Sequence, residues 1–385
     1  MIGIFNDNFP PVYDGVGLTA KNYADWIYDR GRDVCVVTPY TPKMVETPYK
    51  IYTYHSVPLL MRKPYRIGLP MTDYIFRKHL SDVQFSIVHA HCPFTSGALA
   101  LRAAHKLHIP LVATFHSKYR QDLERAIHVK NIVDKVINYI VDFYEKADEV
   151  WIPQASVEPT LREYGYKGKV TVVDNGSDLY TTQDTYLQVR KEMRQKLGLK
   201  DSDTMLLFVG QHIWEKNIGF ILDSIALIKD YPYKLYMVGT GYALGGIKKK
   251  INQLRLNDKV QLVGVIKDRD MLRRYYSAAD IFLFPSLYDN APLVVREAAA
   301  LRTPSVLLQG STASEIIQDS VNGFLSPNDT SQYAAMLSRL IEQPETLRRV
   351  GENASKTLTR SWENVVDEVM MRYDDICARY KKEKL

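Results

Sequence analysis

Short runs of apolar and β-branched residues alternate with amphipathic stretches along the whole chain. The runs predict strands at Ile2–Phe5, Val34–Val37, Ile87–Ala90, Leu111–Phe115, Glu149–Ile152, Val170–Val173, Met205–Val209, Lys234–Val238, Val260–Val263, Ile281–Phe284 and Ser305–Leu308. The amphipathic stretches predict helices at Leu18–Tyr28, Ala98–Lys106, Glu215–Ile228, Ala243–Arg255, Asp270–Ala278, Ala291–Leu301 and Gln332–Ile341. Such alternation is typical of parallel sheets with helices on both faces. Because the pattern occurs in both halves, we predict an α/β fold of two doubly wound, Rossmann-like domains.

A cluster of turn-forming residues, 174–178, follows the last predicted strand of the first half. We therefore place the N-terminal domain at 1–178 and the C-terminal domain at 179–362. Residues 363–385 form a last helical stretch, which we expect to pack back on the N-terminal domain. Ligands of open α/β sheets bind beyond the carboxyl ends of the strands, so a cleft between the two domains is the expected site.

Composition and length exclude several classes of protein. The chain has 385 residues, of which 46% are hydrophobic and 24% charged, the balance of a folded chain rather than a disordered one. No apolar run reaches the roughly 20 residues that cross a bilayer, and the N-terminus lacks the pattern of a signal peptide. Three widely spaced cysteines favour a reducing compartment. We therefore expect a cytoplasmic protein.

The net charge of +6 is unevenly distributed. Residues 61–135 contain twelve basic and five acidic side chains, and aromatic and apolar residues lie among them. Such a mixture suits an anionic membrane surface, where each cation near the lipid contributes about 1 kcal/mol. A solvated basic face explains it equally well. Nucleic-acid binding is not expected, because no recognised binding module accompanies the charge.

Glycines in the turn after the first predicted strand, Gly15 and Gly17, precede a helix. Such a turn lets the backbone approach an anion at the helix start, although it is also a common plain turn. The spacing does not match the dinucleotide fingerprint, so an NAD site is not expected. In the second half, Lys216 lies at a predicted helix start, where its charge opposes the helix dipole. A bound phosphate would resolve that conflict; a solvated surface lysine is the alternative.

Residues 284–297 carry the strongest constellation of candidate side chains. We expect Asn290 to cap a helix, so that Asp289 lies in the preceding loop and Glu297 in the second helical turn. The amides of Leu293 and Val294 then lie between two carboxylates. Amides that bind a diphosphate, flanked by acceptors for sugar and ribose hydroxyls, suit a sugar nucleotide. Alternatively, Asp289 is only a cap and Glu297 a surface residue.

Three histidines, His89, His91 and His116, lie at or just past predicted strand ends. Zinc binding is not favoured, because no cysteine or carboxylate joins them at metal-ligand spacing. His116 is better interpreted as a hydrogen-bonding group that lines a sugar pocket.

In this order, the motifs resemble the retaining glycosyltransferases of group 1, family 4, which have the two-domain GT-B fold. The resemblance covers nearly the whole chain and rests on the glycine turn, His91 and His116, residues 175–178, Lys216, and the acidic pair Asp289 and Glu297. It implies a donor site formed by Gly15, Gly17, Gln211, Lys216, Asn290, Leu293, Val294 and Glu297. Two positions depart from the family pattern.

The departures are Asp289, where the family usually has Glu, and Gln211, where it usually has the arginine that shares the β-phosphate with the lysine. Loss of that guanidinium removes a charge-assisted contact worth on the order of 1.5–3 kcal/mol.

Within the family, residues 63–70, 89–94 and 114–119 look like bacterial glucosyltransferases that act on diacylglycerol. That resemblance implies a lipid acceptor and peripheral attachment to the inner face of the cell membrane. The acceptor or membrane contacts are then expected at Arg62, Lys63, Tyr65, Arg66, His91 and Tyr119.

The resemblance implies transfer of a hexose, with UDP-glucose as the expected donor, with retained configuration and without a metal ion or cofactor. Lys216, His116 and Asp289 are the candidate catalytic residues. Two alternatives remain open. One is a transferase that acts on a soluble or polysaccharide-precursor acceptor. The other is a catalytically weak sugar-nucleotide-binding subunit.

Overall fold

The computed structural model describes residues 1–59, 64–180 and 182–383. The chain divides into two compact units. Unit 1 consists of Met1–Asn175 together with the C-terminal segment that begins at Trp362, and unit 2 consists of Gly176–Ser361. The turn-forming residues 176–178 thus belong to unit 2, and the C-terminal segment belongs to unit 1.

Unit 1 is built on a parallel sheet. Among its described residues, seven strands pair in the order β3-β2-β1-β6-β7-β8-β9. They are β1 (Ile2–Phe5), β2 (Val34–Pro39), β3 (Lys50–Tyr54), β6 (Ile87–Ala90), β7 (Leu111–Thr114), β8 (Glu149–Ile152) and β9 (Thr171–Val172). A separate antiparallel pair consists of β4 (Ser56–Pro58) and β5 (Arg66–Gly68).

The helices of unit 1 pack on this sheet or on one another. They are α1 (Gly15–Asp29), α2 (Tyr74–Ser81), α3 (Thr95–Leu107), α4 (Tyr119–Ala126), α5 (Lys130–Glu145), α6 (Glu158–Glu163) and α14 (Trp362–Glu383). On α14 the buried residues Val365, Val366, Val369, Tyr373 and Ile376 recur with the period of one helix face. Arg30, at the end of α1, donates hydrogen bonds to carboxylates in the first turns of α14.

Unit 2 repeats the architecture. Its described strands form a six-stranded parallel sheet in the order β12-β11-β10-β13-β14-β15. They are β10 (Thr204–Val209), β11 (Tyr233–Val238), β12 (Val260–Gly264), β13 (Ile281–Phe284), β14 (Ser305–Leu308) and β15 (Phe324–Ser326). Its helices are α7 (Gln183–Lys196), α8 (Ile218–Ala226), α9 (Leu244–Gln253), α10 (Arg269–Ala278), α11 (Leu293–Ala300), α12 (Thr330–Ile341) and α13 (Pro344–Thr357).

In both sheets the strand order reverses beside the first strand of the unit, between β1 and β6 and between β10 and β13. Ligands of open parallel sheets bind at the carboxyl ends of the strands on either side of such a switch point. The loops that follow these four strands are therefore the expected ligand-binding loops. Two parallel α/β domains were predicted, and the structure confirms them.

The predicted helix at Glu215–Ile228 is not continuous. A short 3₁₀ turn, Trp214–Lys216, is separated from α8 by Asn217, whose φ is +59°. Asparagine tolerates this left-handed conformation better than most residues do, because its short side chain bonds locally. Lys216 thus ends the 3₁₀ turn, two residues before the first residue of α8, and does not lie within the α-helix.

Candidate functional site

The lysine loop, residues 210–217, follows β10 at the switch point of unit 2. The Asn217 side-chain amide donates a hydrogen bond of 3.1 Å to the carbonyl of Pro285, in the loop that follows β13. We call that second loop, residues 285–292, the acidic loop. The contact joins the two loops on either side of the switch point, so Lys216 and Asp289 are held close to each other.

Lys216 and Asp289 form an ion pair. The side chains retain only 14% and 15% of their accessible surface. Asp289 also accepts a 2.6 Å hydrogen bond from the Ser286 hydroxyl. The Lys216 ammonium lies 5.6 Å from the Phe284 ring centre and 5.7 Å from that of Tyr288. The two predicted catalytic side chains of this unit are therefore neighbours, and the lysine is largely shielded from water.

The expectation that Asn290 caps the following helix is wrong. The helix α11 begins only at Leu293, and Pro292 occupies its N-cap position. The residue before a proline is pushed out of the helical region, which delays the helix start. Asn290 is instead a buried residue of the acidic loop, with 5% of its surface exposed.

The backbone N–H groups of Leu293 and Val294 lie in the first turn of α11, and neither has an acceptor within the described part of the chain. The first amides of a helix have no partner inside the helix, and together with the helix dipole they attract anions. The predicted amide donors are therefore available for a ligand.

Glu297 is buried on α11, with 4% of its surface exposed, so it is not a surface residue. Arg269 donates a 2.8 Å hydrogen bond to Glu297 Oε1, and the Tyr276 hydroxyl donates one of 2.9 Å to Oε2. Arg269 also donates to Asp178, with a distance of 2.9 Å from its Nε. Burial and the charge of Glu297 raise the pKa of Tyr276 well above its usual value, so the phenol stays protonated and remains a donor. Arg269 and Tyr276 thus orient Glu297.

The segment that follows β11 packs closely against the lysine loop, and this contact was not predicted from the sequence. Gly239, which follows β11, has a φ of +136°, and a Cβ there would overlap the carbonyl oxygen of Gly210. The His212 amide donates to the Thr240 carbonyl at 2.9 Å. The signal was available, because a Gly-Thr-Gly segment directly after a buried strand marks close backbone approach.

His212 is a second missed residue of the lysine loop. Its side chain is fully buried, and within the described residues neither ring nitrogen has a hydrogen-bond partner. Burial lowers the pKa of His212 to about 4, so the ring is neutral at physiological pH. Gln211, its neighbour, is half-buried and lies on the same loop.

The glycine turn of unit 1 differs from what was expected of it. Asp14 caps α1 and accepts a 2.7 Å hydrogen bond from the Gly17 amide, so that amide already has a partner. A Cβ at Gly17 would overlap the Asn8 side chain, whereas Gly15 has open space around it. Gly17 is therefore needed for packing against Asn8.

The three histidines of unit 1 are stacked. The ring centres of His89 and His91 are 4.2 Å apart, and His91 Nδ1 lies 3.1 Å from His116 Nε2. Burial lowers the pKa of His116 to about 3, and burial with the neighbouring rings lowers those of His89 and His91 well below their usual range. All three rings are therefore neutral near pH 7.

Asp7, after β1, is a further polar residue that the sequence analysis missed. It accepts hydrogen bonds of 2.8 Å from the Cys92 thiol and from the Ser96 amide. Burial raises the pKa of this carboxyl group. The Cys92 thiol is thus a hydrogen-bond donor to this carboxyl group.

The predicted acceptor or membrane residues fall into three groups. Arg62 and Lys63 lie outside the described residues. Tyr65 donates a 2.9 Å hydrogen bond to Asp14, and Arg66 bonds to Ser56 in the β4–β5 pair. Tyr119 and His91 are buried, with 8% and 0% of their surface exposed, so neither is a surface contact for a membrane.

An apolar and basic patch lies nearby in sequence. It consists of Met71, Tyr74, Ile75, Arg77 and Lys78, all exposed, on α2 and the turn before it. Ile75 and Tyr74 expose 67% and 70% of their surface, which is unusual for side chains of this size. Among the described residues, no helix is both long and apolar enough to cross a membrane. No group of three potential metal ligands occurs in that part of the chain either.

Unit 2 therefore brings together a shielded lysine, free helix amides and two oriented carboxylates at its switch point. A cation and amides at a helix start bind phosphate, and carboxylates accept hydrogen bonds from hydroxyl groups. Such a site can hold a molecule that carries both phosphate and sugar groups.

Comparison with known families covers both units. A family model described as glycosyl transferases group 1 matches residues 189–357, and a model described as glycosyltransferase family 4 matches residues 13–180. Two relatives are alpha-monoglucosyldiacylglycerol synthases. That of Streptococcus pneumoniae is 27% identical over 354 residues, which are 89% of this chain and 79% of the relative. That of Acholeplasma laidlawii is 24% identical over 373 residues, 92% of this chain and 91% of the relative.

Solved structures resemble the whole chain. Sucrose-phosphate synthase from Thermosynechococcus elongatus superimposes with a TM-score of 0.84 at 21% identity, over 98% of this chain and 99% of that chain. HepE from Anabaena, solved in complex with UDP and glucose, gives a TM-score of 0.79 at 16% identity, over 97% and 99%. At such identity the likeness concerns the fold, and the expected GT-B fold is confirmed.

Proposed function

The chain belongs to the group 1 glycosyltransferases of family 4, and from this premise we propose that it transfers glucose from UDP-glucose to a membrane lipid such as diacylglycerol. The observation that carries the proposal is the shielded Lys216–Asp289 pair beside the free amides of α11. The relatives named alpha-monoglucosyldiacylglycerol synthase support the glucose and lipid parts of the proposal. HepE, solved with UDP and glucose, supports the choice of donor.

Lys216 is the proposed phosphate-binding cation. The donor diphosphate takes the place of Asp289 as the partner of Lys216, and the released carboxylate accepts hydrogen bonds from the sugar hydroxyls. When the bond to the sugar breaks, negative charge grows on the departing diphosphate. The ammonium of Lys216 and the amides of Leu293 and Val294 stabilise that charge in a site with little water, where such interactions are strongest.

Glu297 is the proposed ribose-binding residue. Each of its oxygens accepts one hydrogen bond from the protein, and a carboxylate offers about four lone-pair sites, so acceptor capacity remains for the ribose. Gln211 supplies a neutral donor to the diphosphate, because it cannot carry the positive charge of an arginine.

Transfer is proposed to retain the anomeric configuration and to need no metal ion or cofactor. Retention is supported by the family resemblance. Independence from metal is supported by Lys216 and the α11 amides, which supply positive potential at the diphosphate without an ion. His116 is proposed to hydrogen-bond the transferred sugar; because burial keeps it neutral, it carries one donor and one acceptor nitrogen.

The patch on α2 supports a lipid acceptor and attachment to the cytoplasmic face of the membrane. The exposed side chains Met71, Tyr74 and Ile75 would enter the boundary between headgroups and acyl chains, while Arg77 and Lys78 attract anionic headgroups. Their contribution explains how a chain whose described helices do not span a bilayer can reach a lipid.

The proposal is tested by incubating the purified protein with radiolabelled UDP-glucose and vesicles that contain diacylglycerol, with and without anionic lipid and with and without EDTA. We expect a radiolabelled glycolipid with an α linkage to form from vesicles that contain diacylglycerol, both with and without EDTA. Transfer to water-soluble acceptors but not to lipid would contradict the proposed lipid acceptor and favour a transferase that acts on a soluble acceptor. Binding of UDP-glucose without turnover would favour a sugar-nucleotide-binding subunit. Sedimentation with anionic vesicles tests membrane attachment; protein that stays in the supernatant at low salt would contradict it.

A further inference from the structure

A column of aromatic rings connects the interior of unit 1 with His116. His89, His91 and His116 stack in sequence, with ring centres 4.2 Å and 5.3 Å apart and interplanar angles of 27° and 20°. The last step also has a hydrogen-bond distance of 3.1 Å between His91 Nδ1 and His116 Nε2. His116 therefore packs against the ring of His91, which is itself fully buried.

The C-terminal helix α14 holds the other end of this column. The Tyr373 hydroxyl lies 2.6 Å from His89 Nδ1, and the Thr114 hydroxyl lies 2.7 Å from His89 Nε2. The Tyr373 ring stacks on Trp151 at 5.6 Å and 11°, and Trp151 also packs edge-on against His89. Both nitrogens of His89 are thus fixed, one of them from a helix that lies 284 residues away in the sequence.

A second contact from α14 reaches the same column. Trp362 packs against Tyr23, whose ring lies edge-on to both His89 and His91. His91 Nε2 is buried and has no hydrogen-bond partner within residues 1–59, 64–180 and 182–383. The orientation of His91 therefore depends on the stack and on its bond to His116.

Neutral imidazoles transmit orientation through such a column. A neutral ring has one N–H donor and one bare acceptor nitrogen, so the bond between His91 and His116 couples their tautomers: one of the two bonded nitrogens carries the proton and the other accepts it. The opposite nitrogen of His116 then presents the complementary group to its surroundings.

We propose that Tyr373 is a positioning residue that fixes the ring of His89 and, through the stack with His91, the ring orientation of His116. The C-terminal helix is then part of the sugar-handling apparatus of unit 1 and not only a structural support. This inference rests on the proposed function for the role of His116 in catalysis, whereas the coupling of Tyr373 to His116 can be measured without it.

The test compares Tyr373→Phe with Tyr333→Phe in the full-length protein. The first change removes the hydroxyl and keeps the ring. The second is a matched control, because Tyr333 is also fully buried and its hydroxyl donates to a backbone carbonyl, 3.3 Å away, in unit 2. In ¹⁵N-histidine spectra we expect Tyr373→Phe to shift the imidazole nitrogens of His89 and His116, and Tyr333→Phe to leave them unchanged. Unchanged His116 resonances in Tyr373→Phe overturn the inference.

Kinetics give the second readout. We expect Tyr373→Phe to lower kcat for glucosyl transfer five- to twentyfold, with KM for UDP-glucose changed less than twofold. In a His116→Ala background the same change should have less than a twofold effect. An equal loss in both backgrounds overturns the inference, because Tyr373 would then not act through His116. If His116→Ala itself leaves transfer unchanged, the proposed role of His116 fails, while the spectra still decide the coupling. Thr114→Val, which removes the other bond to His89, provides a second variant with the same expected spectral effect.

Discussion

The ionic network around Glu297 allows one prediction to be worked through from the structure. Arg269 bonds to Glu297 and to Asp178 at once, and Glu297 is almost fully buried. In Arg269→Gln, Glu297 loses its charged partner and, among the described residues, keeps only the Tyr276 hydroxyl as a donor. Truncating one member of a buried pair costs about 3–5 kcal/mol. Arg269 and Asp178 keep about a third of their side-chain surface exposed, so we discount the loss to about 2 kcal/mol.

The expected result is a lower melting temperature and weaker donor binding. For a unit of this size, about 2 kcal/mol corresponds to a decrease of roughly 4–8 °C in the unfolding temperature of unit 2. We expect the affinity for UDP to fall by at least threefold, because a loosely held Glu297 no longer presents its oxygens to the ribose. Thermal unfolding followed by calorimetry and titration with UDP measure both effects.

The matched control is Arg273→Gln, on the same helix. Arg273 pairs only with Asp270 among the described residues, and since about half of the Asp270 side chain is exposed, the change leaves no buried charge behind and costs about 0–1 kcal/mol. We expect its melting temperature to stay within about 2 °C of the wild type. If Arg269→Gln were as stable as Arg273→Gln and bound UDP like the wild type, the account of how Glu297 is held would be refuted.

Three further predictions follow from unit 2. Asp289→Asn should leave the affinity for UDP unchanged or increase it, because the diphosphate no longer competes with a carboxylate for Lys216. The rate of transfer should fall at least tenfold. A loss of UDP affinity as large as the loss of transfer would contradict the proposed competition. Gly239→Ala should destabilise unit 2 by about 2 kcal/mol or more, whereas Gly245→Ala, where a Cβ meets nothing, should change its free energy of unfolding by less than about 1 kcal/mol. His212 has a pKa of about 4 in the folded protein, below the unfolded value near 6.5. Its contribution to the free energy of unfolding is therefore fully present above pH 6.5 and is lost as the pH falls towards 4. Denaturant titrations of the wild type should show the free energy of unfolding falling with pH, and His212→Phe should reduce this fall by about 2–3 kcal/mol. If the pH dependence of stability were the same in both proteins, this role of His212 would be refuted.

Local patterns predicted the fold well, because the spacing of apolar residues in strands and helices can be seen among neighbouring residues. The central strands β1, β6, β8, β13 and β14 have the predicted bounds, since each is a short apolar run between turns. The strand β3 was missed because it lies at the sheet edge, where Tyr54 is its one buried residue and no apolar run marks it. The helix α5 was also missed, although its buried residues recur at helical spacing, so the signal for it was present.

The site was predicted in part, for a physical reason. Lys216, Asp289, Leu293, Val294 and Glu297 could be proposed from the sequence, because each lies in the loop after a buried strand or in the first two turns of the helix that follows it. Their partners could not. The pairs Lys216–Asp289, Arg269–Glu297 and His89–Tyr373 are separated by 73, 28 and 284 residues. Contacts over such separations are created by the fold and leave no local pattern in the sequence.

The affinity for UDP of the wild type, Lys216→Ala and Lys250→Ala, measured by isothermal titration calorimetry at one salt concentration, tests the central claim most directly. Lys250 also forms an ion pair in unit 2, with Asp223 at 2.7 Å, but not at the switch point, so it controls for the loss of a charge. Lys216→Ala should weaken binding at least tenfold, about 1.4 kcal/mol or more, and Lys250→Ala less than twofold. Equal affinity in the wild type and Lys216→Ala would contradict the claim that this lysine binds the diphosphate.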